Sequence, residues 1–553
     1  MKRQKIKSFA SNIIIIFAAQ IIVKLLGMLY RMVITNIDGF GDAGNGFYSA
    51  GFQIYTLLLA VSSVGIPNAV SKLISEREAL SDAEGTNRIF KTSLFIFAVI
   101  GALLSFALFV FAKPIAKYVL NMDGAEYTMA ALAPSVFFVC ISSVFRGYFS
   151  GTDKLNIMSI SQIIEQVFKS VLTIVFVLFA VGKPPEIMSG WANFATAAAT
   201  IFGTIYLILM YKADNLKHNF IGKRIVRGEF LRTAKTVLMI AVPISLCSVI
   251  SAVNRIVDTA TITRGIEAAF AAFIPAREGL DAVLNPSIAQ LNDEAVRLAG
   301  MLSKSDTLLN LPLALNISFA TVLVPSISRC RAVDDRSKIK EYINFSVLTS
   351  VVLVLPCAAG YVILAEPIYN LIYPNAALGY ELLQLSAVSL VFTALNQTVT
   401  GALQGLGKVH VPAFALAVGC IVKTVLNCIL ISMPQINIYG AVIGSIMCQL
   451  TVFIIELSGI YKYIDKRHAL KNILIKPLFC SVLMCAVTYM TYKIGNSVIH
   501  SNAAALVLAI VISALAYGAF VVLFKVFGTD ELAKTPIFGK VYAFFDKKHS
   551  ENI

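Results

Sequence analysis

Gly147-Tyr-Phe-Ser-Gly151-Thr-Asp-Lys154 returns 254 positions later as Gly401-Ala-Leu-Gln-Gly405-Leu-Gly-Lys408. Both copies close an apolar run of membrane-spanning length, with two glycines four apart and a lysine three further on. Other markers keep the order. Lys169 and Lys423, each in apolar surroundings, again differ by 254. Val64-Gly-Ile-Pro67 is answered near the same offset by Leu323-Val-Pro325, and Pro185 before Gly190 by Pro434 before Gly440. Markers recurring in one order at nearly one offset predict a duplicated helical bundle. Repeats of this kind place a substrate between their two halves.

Composition fixes the solvent. The chain is 58% hydrophobic and only 14% charged, with a mean hydropathy of +0.78, far from a soluble domain's balance. Crossing roughly 30 Å of hydrocarbon takes about 20 apolar residues. About 14 such stretches are predicted, centred near residues 23, 59, 101, 138, 168, 201, 246, 316, 352, 393, 421, 450, 482 and 513. The fold expected is an all-α polytopic membrane protein. Its Gly, Ser, Thr and Pro residues fit close helix packing within lipid.

A net charge of +15 raises nucleic-acid binding, but the positions of the charges argue against it. Lys2, Arg3, Lys5 and Lys7, the stretches Lys212–Lys235, Arg329–Lys340 and Lys462–Lys476, and the C-terminal tail fall on one side of the predicted spans. The opposite loops hold only Lys113, Lys117, Lys183, Arg264, Arg277, Arg297, Lys304 and Lys493. This is the positive-inside pattern, so both termini are expected in the cytoplasm of a multi-pass cell-membrane protein. The basic loops read as topology signals that touch anionic headgroups. The first apolar run is longer than a signal-peptide core and carries Lys24 and Arg31, so it is read as span one. Nine cysteines without a CxxC pair and five scattered histidines predict neither redox chemistry nor a metal site.

The markers divide the chain into a first six-span lobe with its basic connector (1–235), a second six-span lobe (236–465), two additional spans (466–525) and a cytoplasmic tail (526–553). Residues 264–300 are too charged for a lipid-facing span. They read as an external loop with an amphipathic helix, containing Arg277, Glu278, Asp281, Asp293, Glu294 and Arg297.

Chemistry should lie with ionisable residues inside the spans, where a charge costs at least about 2.5–3.5 kcal/mol. The bases there are Lys24, Arg31, Arg146, Lys169, Arg255 and Lys423; the acids are Glu165, Asp258 and Glu456. Glu165 with Lys169 (i,i+4) and Arg255 with Asp258 (i,i+3) allow local ion pairs. Arg146 is expected to snorkel to the cytoplasmic surface and Glu456 to reach the interface. Lys24 and Arg31, seven apart and on one helical face, have no acid on their own helix. The excess of bases favours an anionic substrate held by Lys24, Arg31, Arg255, Lys169 and Lys423, with Glu165 and Asp258 as supporting ion-pair partners.

Ile141-Ser-Ser-Val-Phe-Arg146-Gly-Tyr-Phe-Ser-Gly151, Ser161-Gln-Ile-Ile-Glu165-Gln-Val-Phe-Lys169, Leu308-Leu-Asn-Leu-Pro312 with Val322-Leu-Val-Pro325-Ser-Ile-Ser328, and Gly65-Ile-Pro67-Asn-Ala-Val-Ser-Lys72 resemble the stage V sporulation protein B family. That family stands with the MurJ-type lipid II flippases in the multidrug/oligosaccharidyl-lipid/polysaccharide superfamily. The resemblance implies two pseudo-symmetric six-helix lobes around a central cavity, working by alternating access, plus two C-terminal helices. It also implies a lipid-linked saccharide cargo, with the undecaprenyl-pyrophosphate peptidoglycan precursor favoured. Membrane lipids and cell-wall synthesis enzymes are the implied partners, and the chain is expected to act as a monomer in wall or spore-cortex assembly. The flippases' Arg-x-x-Gly-x-x-Arg-Asp pattern in span one corresponds to Lys24-Leu-Leu-Gly27-Met-Leu-Tyr30-Arg31, with the second charge displaced by one residue. A further family arginine falls on Thr307, with Lys304 one turn earlier.

No enzyme chemistry and no cofactor are expected. An inside-negative potential is worth about 2.3 kcal/mol per charge per 100 mV, so a headgroup with two negative charges gains roughly 4–5 kcal/mol on moving outward. The chain has no GxxxxGK[ST] phosphate loop, and participation of Na⁺ or H⁺ is left open. The alternatives at this stage are a multidrug or cation antiporter and a non-transporting scaffold for wall assembly.

Overall fold

The computed structural model describes residues 2–60, 62, 65–218, 227–276, 281–332, 334–461 and 474–527. Val64, Arg277, Glu278, connector residues 219–226, the basic stretch 462–473 and the tail from 528 lie outside the described residues. Helices α1 (Lys2–Thr35), α2 (Gly41–Ala60), α3 (Ile66–Ala79), α4 (Ala83–Pro114), α5 (Ala125–Gly151), α6 (Leu155–Phe179), α7 (Pro185–His218) and α8 (Arg227–Ala269) follow in order. Then come strands β1 (Phe273–Ile274) and β2 (Val283–Leu284), and helices α9 (Ile288–Ala332), α10 (Arg336–Ile372), α11 (Tyr380–Gly405), α12 (His410–Leu430) and α13 (Tyr439–Ile460). The last two are α14 (Lys476–Ile499) and α15 (Asn502–Leu523).

The protein is helical and multi-pass. Among the described residues ten helices are long and apolar enough to cross a membrane, eleven when bent α8 is taken as one span. The expected stretches near 23, 59 and 316 fall on α1, α2 and α9. Local signals set several boundaries. Asp82 accepts from the Gly85 amide at 2.8 Å and caps α4. Asp335 accepts from the Lys338 amide at the start of α10, and Lys338, by that bond and its ammonium, holds the Asp335 carboxyl below its ordinary range.

Residues 264–300 depart from the expectation. α8 runs through to Ala269, the two-residue strands pair antiparallel, and α9 starts at Ile288. The charge density that suggested a loop is matched locally: Asn121 donates to Glu267, and Arg297 pairs with Glu294 at 3.1 Å.

Contacts group the chain into two compact units. One comprises 1–311, 373–382 and 416–448; the other comprises 312–372, 383–415 and 449–553. Each contains one copy of the repeated turn. In the first, a Cβ on Gly151 would stand 2.8 Å from the Ile74 Cβ and 2.9 Å from the Ser71 carbonyl oxygen. In the second, a Cβ on Gly405 would stand 2.9 Å from the Ile327 Cβ and 2.9 Å from the Val324 carbonyl oxygen. Both turns close with a lysine amide on the carbonyl five residues back, Lys154 to Phe149 and Lys408 to Leu403, each 2.8 Å. The preceding residue is left-handed in both, Asp153 at φ 59° and Gly407 at φ 72°. Small residues let the backbones approach, as the sequence pattern implies.

The proline marker is corrected by the same geometry. Ser71 and Ile74 correspond to Val324 and Ile327, an offset at which Pro67 faces Ala320 and not Pro325. The two prolines resemble each other in sequence without occupying equivalent positions.

Candidate functional site

α1, which carries Lys24 and Arg31, packs against α6 and α2. Arg31 is held by neutral groups: its guanidinium donates to Asn45 Oδ1 at 3.1 Å and Ser303 Oγ at 3.4 Å, and lies 4.2 Å from the Tyr48 ring centre. The Tyr48 and Tyr30 hydroxyls meet at 3.0 Å. Cation–π and neutral hydrogen bonds fix the guanidinium without cancelling its charge.

Lys24 is treated differently. It is exposed, with no hydrogen bond or ion pair among the described residues, and it feels the repulsion of Lys169 and Arg255. Lys169 lies 4.6 Å from the Phe52 ring centre and 5.8 Å from that of Tyr30. Arg255 is also exposed, and Asp258 and Asp306 act on it only through space. Asp306 is exposed too, yet within the electrostatic reach of Asp258, Lys423, Arg31 and Arg255. These groups act on one another from α1, α6, α8 and α9 at once.

The local ion pairs expected from spacing are replaced by longer-range ones. Glu165 pairs with Arg146 at 2.6 Å instead of Lys169. Arg146 therefore does not snorkel; its side chain is 12% exposed and also donates to Ser161. Asp258 takes Lys423 at 2.5 Å and Asn427 at 3.2 Å, instead of Arg255. Lys423 is buried, so its ammonium is committed to a carboxylate. Glu456, expected at the interface, is fully buried and accepts from Thr400. In each case a neighbouring helix offers a better-aimed partner than the next turn of the same helix.

Lys304, counted above as an external-loop lysine, is 1% exposed inside α9. It pairs with Asp42 at 2.6 Å and donates to the carbonyls of Ala376 (2.5 Å) and Leu378 (3.0 Å). Backbones cross closely beside it. A Cβ on Gly46 would collide with the Val296 carbonyl, and one on Gly300 with the Asp42 carbonyl. Asn375 also bonds Asn36, and Thr259 bonds Gln53. Asp42, Asp306, Tyr48, Asn45 and Asn427 escaped sequence reasoning. The aromatic and amide partners carry no charge signal, and Asp306 sits where α9 was read as the end of a loop.

Lys24, Arg31, Lys169, Arg255 and Lys423 thus share one electrostatic neighbourhood with Asp258 and Asp306. After Lys423 and Asp258 cancel, the surplus is cationic: Lys24, Arg31, Lys169 and Arg255 against Asp306. Among the described residues no three His, Cys, Asp or Glu side chains gather in a way that could hold a metal.

The family model described as "Polysaccharide biosynthesis protein" matches residues 9–331, and a second, MatE, matches 283–429. Stage V sporulation protein B of Bacillus subtilis (strain 168) is 23% identical over 97% of this chain and 99% of its own length. Lipid II flippase MurJ of the same organism is 24% identical over 91% and 92%. Among solved structures, lipid II flippase MurJ in an inward closed conformation superposes with a TM-score of 0.67 at 16% identity, covering 92% of this chain and 98% of that one.

Proposed function

The chain belongs to the polysaccharide biosynthesis protein family and is a multi-pass transporter of the flippase and exporter superfamily, and from that premise we propose that it flips a lipid-linked anionic saccharide from the inner to the outer leaflet. The cargo that fits best is the undecaprenyl-pyrophosphate peptidoglycan precursor. The carrying observation is the exposed, unpaired Lys24 repelled by Lys169 and Arg255. A pyrophosphate placed among them converts mutual repulsion into charge-assisted hydrogen bonds. The name of one relative, lipid II flippase MurJ, supports this class of cargo.

The mechanism follows from the two kinds of contact. Arg31 and Lys169, propped on Tyr48, Tyr30 and Phe52, offer fixed positive charge, while Lys24 and Arg255 are free to close on phosphate. Lys304, Asp42 and the Ala376 and Leu378 carbonyls form the outer closure. When the site opens outward, that buried lock must break. The membrane potential drives the loaded anion outward and returns the empty, positively charged cavity. Both termini are cytoplasmic. A cysteine introduced at 375 is labelled by an external thiol reagent, whereas one at 335 is protected. The reverse pattern inverts the topology.

The decisive test uses the purified full-length protein in liposomes with a fluorescent lipid-linked saccharide pyrophosphate. Quenching from outside measures its exposure. Protein-dependent translocation, absent with Lys24→Ala, is the expected outcome. Inert lipid-linked saccharide together with exchange of an organic cation would establish the antiporter alternative instead.

A further inference from the structure

A fully buried carboxyl lies far from any role given to it above. Glu456, on α13, is 0% exposed. Its Oε1 accepts from Thr400 Oγ1 of α11 at 2.6 Å, and its Oε2 is buried with no partner among the described residues. One turn earlier on α11, Asn396 donates to the Gln449 side chain (2.7 Å) and backbone carbonyl (2.9 Å), while its own Oδ1 stays unpartnered. Gln397 continues the polar seam to Asn316, which meets Ser350. Apolar residues surround this end: Leu323, Ile327, Val399, Leu403 and Ile460.

Among the described residues no charged side chain is bonded to or paired with Glu456. Lys408, between α11 and α12, donates to the Gly459 carbonyl at 3.0 Å. Arg331, from the end of α9, lies against Gly407. On α10, the Lys338 ammonium pairs with Asp335 at 3.1 Å. Thr400 is the one side chain among the described residues bonded to the carboxyl. An ionised carboxylate with no cation and a vacant oxygen costs several kcal/mol in such surroundings, whereas a neutral acid costs far less.

We propose that Glu456, with the Thr400 hydroxyl, is a proton-binding site of the transport cycle, occupied when α11 and α13 are packed as here and emptied when their seam opens to water. A metal cation is the poorer occupant. Asn396 and Thr400 are four residues apart, about 6 Å along α11, and Gln449 and Glu456 are seven apart, about 10 Å along α13. The two unpartnered oxygens therefore belong to separate rungs and do not form one coordination shell. A proton held in only one of two conformations biases their equilibrium, so the pH on the exposed side sets the rate of return. The inference extends the transport reading above.

The test uses the full-length protein in liposomes, with two readouts. Infrared difference spectra should contain a protonated-carboxyl band in wild type that Glu456→Gln removes, whether or not any cargo moves. The initial rate of lipid-linked saccharide translocation should vary with pH in wild type, by at most about tenfold per pH unit for a single proton. Glu456→Gln, a permanent mimic of the protonated form, should transport at a rate independent of pH. Thr400→Val removes only a donor to the ionised carboxyl, so it should move the pH midpoint upward and covers the case in which the Gln variant fails to fold. A missing band, a Gln variant with unchanged pH dependence, or an unmoved midpoint in the Val variant overturns the proposal. Failure of translocation with the band intact refutes the cargo and leaves the proton site standing.

Discussion

Lys169 of α6 and Lys423 of α12 stand 254 residues apart, each midway along the helix that follows the repeated glycine turn. Their surroundings are opposite. Lys169 meets aromatic faces and the charge of another lysine, Lys24. Lys423 is buried and meets the half-buried Asp258, and Asn427 and Thr261 complete the knot. One copy of the framework leaves its lysine without a carboxylate partner among the described residues; the other neutralises the same charge with Asp258. A duplicated scaffold therefore does not imply a duplicated site. On the function proposed above Lys24 and Lys169 contact cargo, whereas Lys423 holds α12 to α8.

The largest effect should come from breaking the neutral copy. Asp258→Ala leaves the Lys423 ammonium buried without its carboxylate, at a cost of about 3–5 kcal/mol. The thermal midpoint of the detergent-purified protein should fall markedly, and the double change Asp258→Leu with Lys423→Met should recover most of the loss. If the single variant melts like wild type, Lys423 is not structurally committed and the contrast fails. Next is the cationic copy. Lys24→Ala should lower translocation about ten- to a hundredfold, the loss of one to two charged hydrogen bonds to phosphate. Its melting midpoint should stay level or rise, since relief of repulsion accompanies the loss. Charge reversal to Glu should be worse than Ala for transport. A Lys24→Ala variant that transports normally returns the anionic-cargo reading to family membership alone.

How much of this was legible beforehand depends on distance along the chain. Membrane spans, the repeat and the glycine turns are carried by runs and spacings, so the sequence exposes them directly. Which acid meets which base is not. Glu165 could reach Lys169 one turn away, but Arg146 on the neighbouring helix arrives with a guanidinium and a 2.6 Å bond. Lys304 looked solvated because its window is polar; Asp42 and two carbonyls supplied from 376 and 378 bury it. The proline marker misled for a related reason. Short Val-Pro and Ile-Pro strings recur easily in apolar chains, whereas the glycine turn is pinned by a contact that a side chain would block.

Those glycines give a third, smaller effect. Gly151→Ala and Gly405→Ala each drive a methyl to about 2.8–2.9 Å from an isoleucine Cβ and a carbonyl oxygen, overpacking worth about 1–3 kcal/mol. Because the two turns have the same geometry, the two variants should lose similar amounts of thermal stability. A large loss at only one of them would mean that the copies, although alike in shape, differ in how much their units depend on them.

The smallest effect separates the two turns by chemistry instead of shape. The Lys154 ammonium meets the Asp214 carboxylate, which the Tyr148 hydroxyl also bonds at 3.0 Å. Among the described residues the Lys408 ammonium meets only a backbone carbonyl, that of Gly459, at 3.0 Å. Both turns are already closed by their backbone bonds, so Lys154→Met and Lys408→Met should each cost no more than about 0.2–1 kcal/mol. Salt distinguishes them. An ion pair that is a third exposed on its lysine side is screened as ionic strength rises, with a Debye length falling from about 10 Å at 0.1 M to about 3 Å at 1 M. A cation on a neutral carbonyl loses much less. The Lys154→Met deficit in melting midpoint should therefore shrink at high salt, and the Lys408→Met deficit should persist. Equal salt sensitivity in the two would mean that Asp214 contributes no net charge to the first turn, and that the copies differ in sequence there without differing in physics.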